Sequence, residues 1–223
     1  MRQRKSKRVI SFIFLLILVG SINNINLNNI QIGEVKSIKV SGLNEVDNKI
    51  FFKKIKNLNL TNIFFFNGNE INRELSSSSL IENYKVFKRY PSELEIQIEK
   101  TKFLAKINKD GKIYLIGSNG KFSNNNYSIQ NLPYIFGNPK VNEFLNFKKV
   151  LDGSPVMYGE IKNLYFFQSK RWDLQLKNNI LIKLPKSSVE NALNDVSEFI
   201  KLNSSKNFKV IDARVKNQII INE

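Results

Sequence analysis

The chain has 223 residues, with 35 Lys and Arg against 19 Asp and Glu, a formal net charge of +16. It contains neither Cys nor His, which excludes disulfides, Cys/His zinc sites and an imidazole general base. The positive charge is scattered along a sequence rich in Lys, Asn, Ile and Phe, so it reads as surface lysine suited to anionic lipid headgroups or an acidic partner, not as a nucleic-acid patch.

Arg2, Arg4, Lys5, Lys7 and Arg8 make a basic tail over residues 1–8. An apolar run starts at Val9, passes through Phe12 and Phe14 to Val19, and fades by Ile25. That is about 17 residues, at the short end for a membrane span. The basic flank places the N-terminus in the cytoplasm and the rest of the chain outside. The heart of the run, Val9 to Val19, also has the length of a signal-peptide core, but no small-x-small cleavage pair follows it. It is therefore read as a retained transmembrane helix over 9–25. An Asn-rich linker, 26–34, comes next. No later run is long enough to span; Ile63-Phe64-Phe65-Phe66 stops at Asn67-Gly68-Asn69.

Residues 35–101 read as a compact β-α-α-β-β unit. Val35 to Val40 is a strand stopped by Ser41-Gly42. Asp47 is the expected cap of a helix from Asn48, with Phe51, Ile55 and Leu58 on one stripe. Asn69 is the expected cap of a shorter helix in which Ile71 and Leu75 share a face, ended by Ser76 to Ser79. Ile81 to Tyr90 is a strand, Pro91-Ser92 a turn, and Glu93 to Lys100 a strand with Leu94, Ile96 and Ile98 on its dry face.

Residues 102–223 read as a mainly antiparallel β domain with two helices. Lys109-Asp110-Gly111 turns a hairpin between Phe103–Asn108 and Lys112–Ile116. Asn119-Gly120 marks another turn, and Leu132 to Gly137 is a short apolar segment. Val141 to Leu151 suits a helix with Phe144, Leu145 and Lys148 on its stripe and Gly153 beyond its end. Strands follow at Ile161–Gln168, Arg171–Lys177 and Ile180–Leu184, the last two joined through Asn178-Asn179. Ser187 and Glu190 have capping-box spacing before a stripe of Val189, Ala192, Leu193, Val196, Phe199 and Ile200. The stretch Phe208 to Asn222 is rich in strand formers.

No catalytic constellation emerges. Asp152, Asp173, Asp195 and Asp212 are scattered acids, read as surface carboxylates or turn formers. Gly117-Ser118-Asn119-Gly120 lacks the Gly-Lys-Ser/Thr ending of a phosphate loop. Arg171-Trp172-Asp173 has two readings: a core Trp between solvated charges, or an Arg at the rim of a protein interface. The terminal stretch also has two: ordinary sheet core, or an open edge that takes a strand from another protein.

Taken in order, several features resemble one family, the bacterial division proteins FtsQ/DivIB. They are the basic tail and span, Val40-Ser41-Gly42, Lys88-Arg89-Tyr90-Pro91 with its alternating strand to Glu99-Lys100, and Leu132-Pro133 through Gly137. Arg171-Trp172-Asp173-Leu174, Leu184-Pro185 and Ile211-Asp212-Ala213-Arg214-Val215 complete the series. The sequence departs from the family where Glu99-Lys100-Thr101-Lys102 lacks the usual proline, and where Val215 replaces a Tyr found in some members. The resemblance implies an α+β protein: a transmembrane helix, a POTRA domain and the family's β domain. It implies a non-catalytic, single-span scaffold of the division complex in the inner membrane, enriched at the septum, with no catalytic or metal-binding residues and no cofactor. Its partners would be FtsB/FtsL-type division proteins, bound by strand augmentation at the C-terminal edge. The surface carried over comprises Arg171, Arg214, Val215, Asn217, Ile219 and Ile221. Two other readings stand beside it. One is a POTRA component of envelope secretion or assembly, though such proteins normally continue into a barrel for which nothing after Glu223 leaves room. The other is a membrane-anchored envelope enzyme, against which the missing His, Cys and paired acids count.

Overall fold

The computed structural model describes residues 7–22, 33–58, 60, 62–65, 67–124, 131–203 and 208–222. Most of the expected tail 1–8 and linker 26–34, and the last residues of the expected span 9–25, lie outside them.

Lys7–Ile22 forms helix α1, 16 residues long. Its apolar side chains from Val9 to Val19 are all exposed, from 43% at Leu18 to 76% at Leu16. At 1.5 Å per residue the helix is about 24 Å long, against about 30 Å for a bilayer core. Among the described residues no helix is long and apolar enough to cross a membrane.

The globular part divides into two compact units, Met1–Glu74 with Lys85–Gln97, and Leu75–Tyr84 with Ile98–Glu223. The β-α-α-β-β order is present: β1 Ser37–Ser41, α2 Glu45–Lys56, α3 Gly68–Ser77, β2 Ile81–Arg89 and β3 Glu93–Lys100. The sheet order is β1-β3-β2, with β1 parallel to β3 and Val40 opposite Ile96. Helix α2 starts three residues before the expected Asn48 because Asn44, not Asp47, caps it. The Asn44 Oδ1 accepts from Asp47 N at 2.8 Å and its Nδ2 donates to the Asp47 carboxylate at 2.9 Å. Phe51 and Ile55 are buried as expected, but Leu58 lies past the helix end at Asn57. At α3 the Asn67 side chain, rather than that of Asn69, accepts an amide, from Asn69 N at 3.0 Å. Ile71 and Leu75 share its buried face, and Leu94, Ile96 and Ile98 alternate inward along β3.

The second unit holds a nine-stranded sheet of order β12-β11-β10-β9-β8-β7-β4-β5-β6. Its strands are β4 Phe103–Lys109, β5 Lys112–Gly117, β6 Phe122–Ser123, β7 Tyr134–Phe136, β8 Ile161–Phe166, β9 Trp172–Leu176, β10 Leu181–Lys183, β11 Val210–Asp212 and β12 Ile220–Asn222. The sheet is more mixed than expected: β4–β7, β7–β8 and β10–β11 run parallel. The β4–β5 turn forms as read, with Asp110 and Gly111 both at positive φ, the geometry that matches strand twist.

Helices α4 (Val141–Asp152) and α5 (Val189–Leu202) contribute to a single core with the sheet. The buried stripe of α4 is Phe144, Phe147 and Leu151. The expected Lys148 instead sets its Nζ 4.2 Å from the centre of the Tyr158 ring and pairs with Asp152. On α5 the expected stripe packs inward, led by Ala192, Leu193 and Val196. Its capping box does not form. Ser188 adopts φ 58 and is itself the N-cap, with the helix beginning at Val189, so Glu190 falls at N2, one position short of the N3 site that the box requires.

One row of side chains organises this core. Residues directly opposite on paired strands point to the same face. Ile107, Ile135, Leu164, Leu174, Ile182, Ile211 and Ile221 are successive partners across seven strands. The first six are at most 1% exposed; Ile221, on the outermost strand, is 40% exposed.

Candidate partner-binding edge

The terminal stretch is a pair of short strands joined by a loop, not one long strand. Strand β11 delivers Asp212, the chain turns through 213–219, and β12 returns antiparallel with Ile221 opposite Ile211 and Ile220 opposite Asp212. Gln218 N donates to Val215 O at 3.2 Å and Asn217 takes φ 58, a conformation Asn tolerates. Among the described residues no strand pairs with the outer side of β12. Its flanking Ile220 is 51% exposed, while Ile219 packs against the core.

Beside this edge lies a cleft of about 160 Å³ between the start of α5 and the 213–219 loop. Arg214, Val215, Asn217 and Ile219 line it from the loop, and Asn191 and Asp195 from the helix. Four of the six expected contact residues therefore share one cleft. Ile221 stands on the adjoining strand.

Arg171 reaches the neighbourhood through acids. It lies just before β9, and its guanidinium donates to Asp173 from Nε at 3.1 Å and from Nη2 at 3.3 Å. The same carboxylate accepts Leu184 N at 3.2 Å. Asp173, Lys183 and Asp212 are opposite one another on β9, β10 and β11, a minus–plus–minus row on the face away from the helices. Arg214 closes it. Its Nε donates to Asp212 at 2.8 Å and Nη2 at 2.6 Å. That bond holds the Asp212 carboxyl below the ordinary aspartate range. It raises the Arg214 guanidinium, and nearby Asp173 adds to the rise.

The sequence reading of Asp173 as a solvated charge is corrected: it is 3% exposed. Trp172 is a core residue as read, stacked on Phe147 with ring centres 4.7 Å apart. Arg171–Asp173 and Asp212–Arg214 are both two apart along extended chain, which puts each pair on one side of its strand; that spacing was the available signal. Nothing local marks Asn191 or Asp195 as cleft residues, since the fold alone brings α5 to the loop. Among the described residues no group of acids is arranged to hold a metal ion.

Comparison with known proteins covers both parts of the globular chain, the second up to Arg214. Residues 34–100 match the description "POTRA domain, FtsQ-type". Residues 105–214 match "Cell division protein FtsQ/DivIB, C-terminal". Among curated relatives, the cell division protein FtsQ of Rickettsia bellii is 26% identical, aligned over 89% of this chain and 76% of its own length. That of Rickettsia conorii is also 26% identical, over 84% and 72%. The cell division protein DivIB of Clostridium botulinum is 27% identical, over 93% and 86%.

Proposed function

This chain belongs to the FtsQ/DivIB family of cell-division proteins, and on that premise we propose that it is a non-catalytic scaffold that receives a strand from an FtsB/FtsL-type partner along β12. The observation that carries the reading is the incomplete row: six buried apolar residues end on an Ile221 that is 40% exposed. A strand laid against β12 supplies the missing neighbour and pairs the free backbone edge. Covering what remains exposed of Ile220 and Ile221 is worth about 1 kcal/mol each. The incoming strand alternates, with an apolar residue beside Ile221 and a polar or acidic one on the Arg214 side. Arg214, Val215, Asn217 and Ile219 contact whatever precedes that strand in the partner. Arg171 acts further in, by holding Asp173 against Arg214.

In this reading α1 anchors the scaffold in the inner membrane, with the basic tail inside and the two units outside. Apolar side chains exposed all round a helix suit lipid better than water. The linker and the POTRA and β domains occupy 26–34, 35–101 and 102–223. The scaffold gathers at the division septum, where partners crossing the same membrane meet it.

Adjacent backbone N–H groups on a strand point to opposite sides, so one of the two substitutions I220P and I221P removes a donor from the free edge of β12. Co-purification of each full-length variant with the FtsB/FtsL-type partner tests the reading. The expected result is loss of most of the partner in at least one variant with an unchanged unfolding midpoint. Retention of the partner by both would refute augmentation at this edge.

A further inference from the structure

Three exposed aromatic side chains gather at one corner of the first unit. Phe65 is 86% exposed, Tyr90 60% and Phe64 46%. Phe64 stacks on Tyr90 with ring centres 5.0 Å apart and tilts against Phe65 at 6.4 Å. The corner is pinned from below. Ile63 is fully buried, its amide donates to the Gly33 carbonyl at 2.6 Å, and Glu34 bridges Asn62. The Asn62 side chain accepts Phe64 N at 2.9 Å. Gly33, at φ +86, lies so close under the Phe64 ring that a Cβ there would strike it.

The place of this corner in the chain gives it a meaning. Gly33 belongs to the first unit, and ten residues, 23–32, separate it in sequence from Ile22 at the end of α1. A chain of that length reaches at most about 40 Å. The exposed aromatics are thus fixed to the point where the chain arrives from its apolar helix. The segment after Gly33 runs beside the Tyr90 turn, where the Lys36 amide donates to Ser92 O at 2.9 Å, and it exposes both Glu34 and Lys36. The whole chain carries +16. Exposed aromatics held close to an apolar helix are the composition that settles at the boundary between headgroups and acyl chains.

We propose that Phe64, Phe65 and Tyr90 form a second membrane contact, dipping into the surface of an anionic bilayer and holding the first unit against it. The proposal rests on the reading of α1 as a membrane anchor, and adds to it a contact that fixes the height of the first unit.

The test uses the full chain carrying F65W in vesicles of phosphatidylglycerol and phosphatidylcholine, with acyl chains plain or brominated near the carbonyl. The wild-type protein is the reference, because its single indole, Trp172, is 6% exposed inside the second unit. Flotation of the vesicles after an alkaline wash reports the anchor separately. The expected result is that F65W floats and that its additional emission falls by about half or more in brominated lipid, as insertion to the headgroup–acyl boundary requires. The companion F64E in the F65W background abolishes that quenching while still floating. Protein that floats with its F65W indole unquenched overturns the second contact and leaves the anchor standing. Protein that does not float overturns both.

Discussion

At the scale of single residues, charge is managed by short pairings along strands. Asp212 and Arg214 sit two apart, and their bond lowers the carboxyl's affinity for protons. A group whose folded pKa is depressed adds stability above its ordinary value, and that stability is lost as pH falls through the folded value. The contribution is therefore complete at neutral pH and fades from the ordinary aspartate value of about 3.9 downward. D212N is expected to lower the urea midpoint at pH 7 and to converge with wild type at acid pH. An offset independent of pH would assign the effect to something other than this pair. Arg214 loses its partner in the same variant, so partner affinity measured alongside reports whether the arginine must be held in place.

At the scale of elements, the regular parts were legible and the ends were not. The alternation of Leu94, Ile96 and Ile98 and the α5 stripe announced their buried faces directly, because a repeat of two or 3.6 is a local property. Helix starts depended on rival caps a few residues apart: Asn44 against Asp47, Asn67 against Asn69, Ser188 against Ser187. Backbone conformation decides among such rivals, and the left-handed Ser188 has no signature in its own side chain. The parallel pairs of the larger sheet were also hidden, since β7 and β4 meet only through the fold. One consequence concerns Gly137, at φ +95 after β7, where a Cβ would run into the Phe166 carbonyl oxygen. G137A should cost about 2 kcal/mol or more in urea unfolding, from strain and clash together. G111A is the control: its φ is +78 but open space surrounds it, so strain alone, about 1 kcal/mol, is expected. Equal losses would mean that the close approach at Gly137 contributes nothing.

At the scale of the whole molecule, the ordered series of weak motifs carried more than any one of them. Residues 34–100 and 105–214 match the family's two domains, and the sequence had implied both. The proposed binding edge was only half legible. Strand formers near the C-terminus pointed to β12, but Arg214, Val215 and Asn217 proved to lie on the loop before it, lining a cleft with α5. That distinction changes their proposed role, from ladder contacts to contacts with the segment leading into the ladder. The measurement that tests the central claim most directly is disulfide crosslinking in dividing cells. The chain has no Cys, so single-cysteine variants at Ile219, Ile220, Ile221 and Asn222 report on one position each, against a partner bearing single cysteines along its strand. The account predicts crosslinks between opposing positions that advance in antiparallel or parallel register, one partner residue for each residue of β12, and that disappear in the damaging proline variant. Crosslinks absent from all four positions while the complex still forms would contradict it.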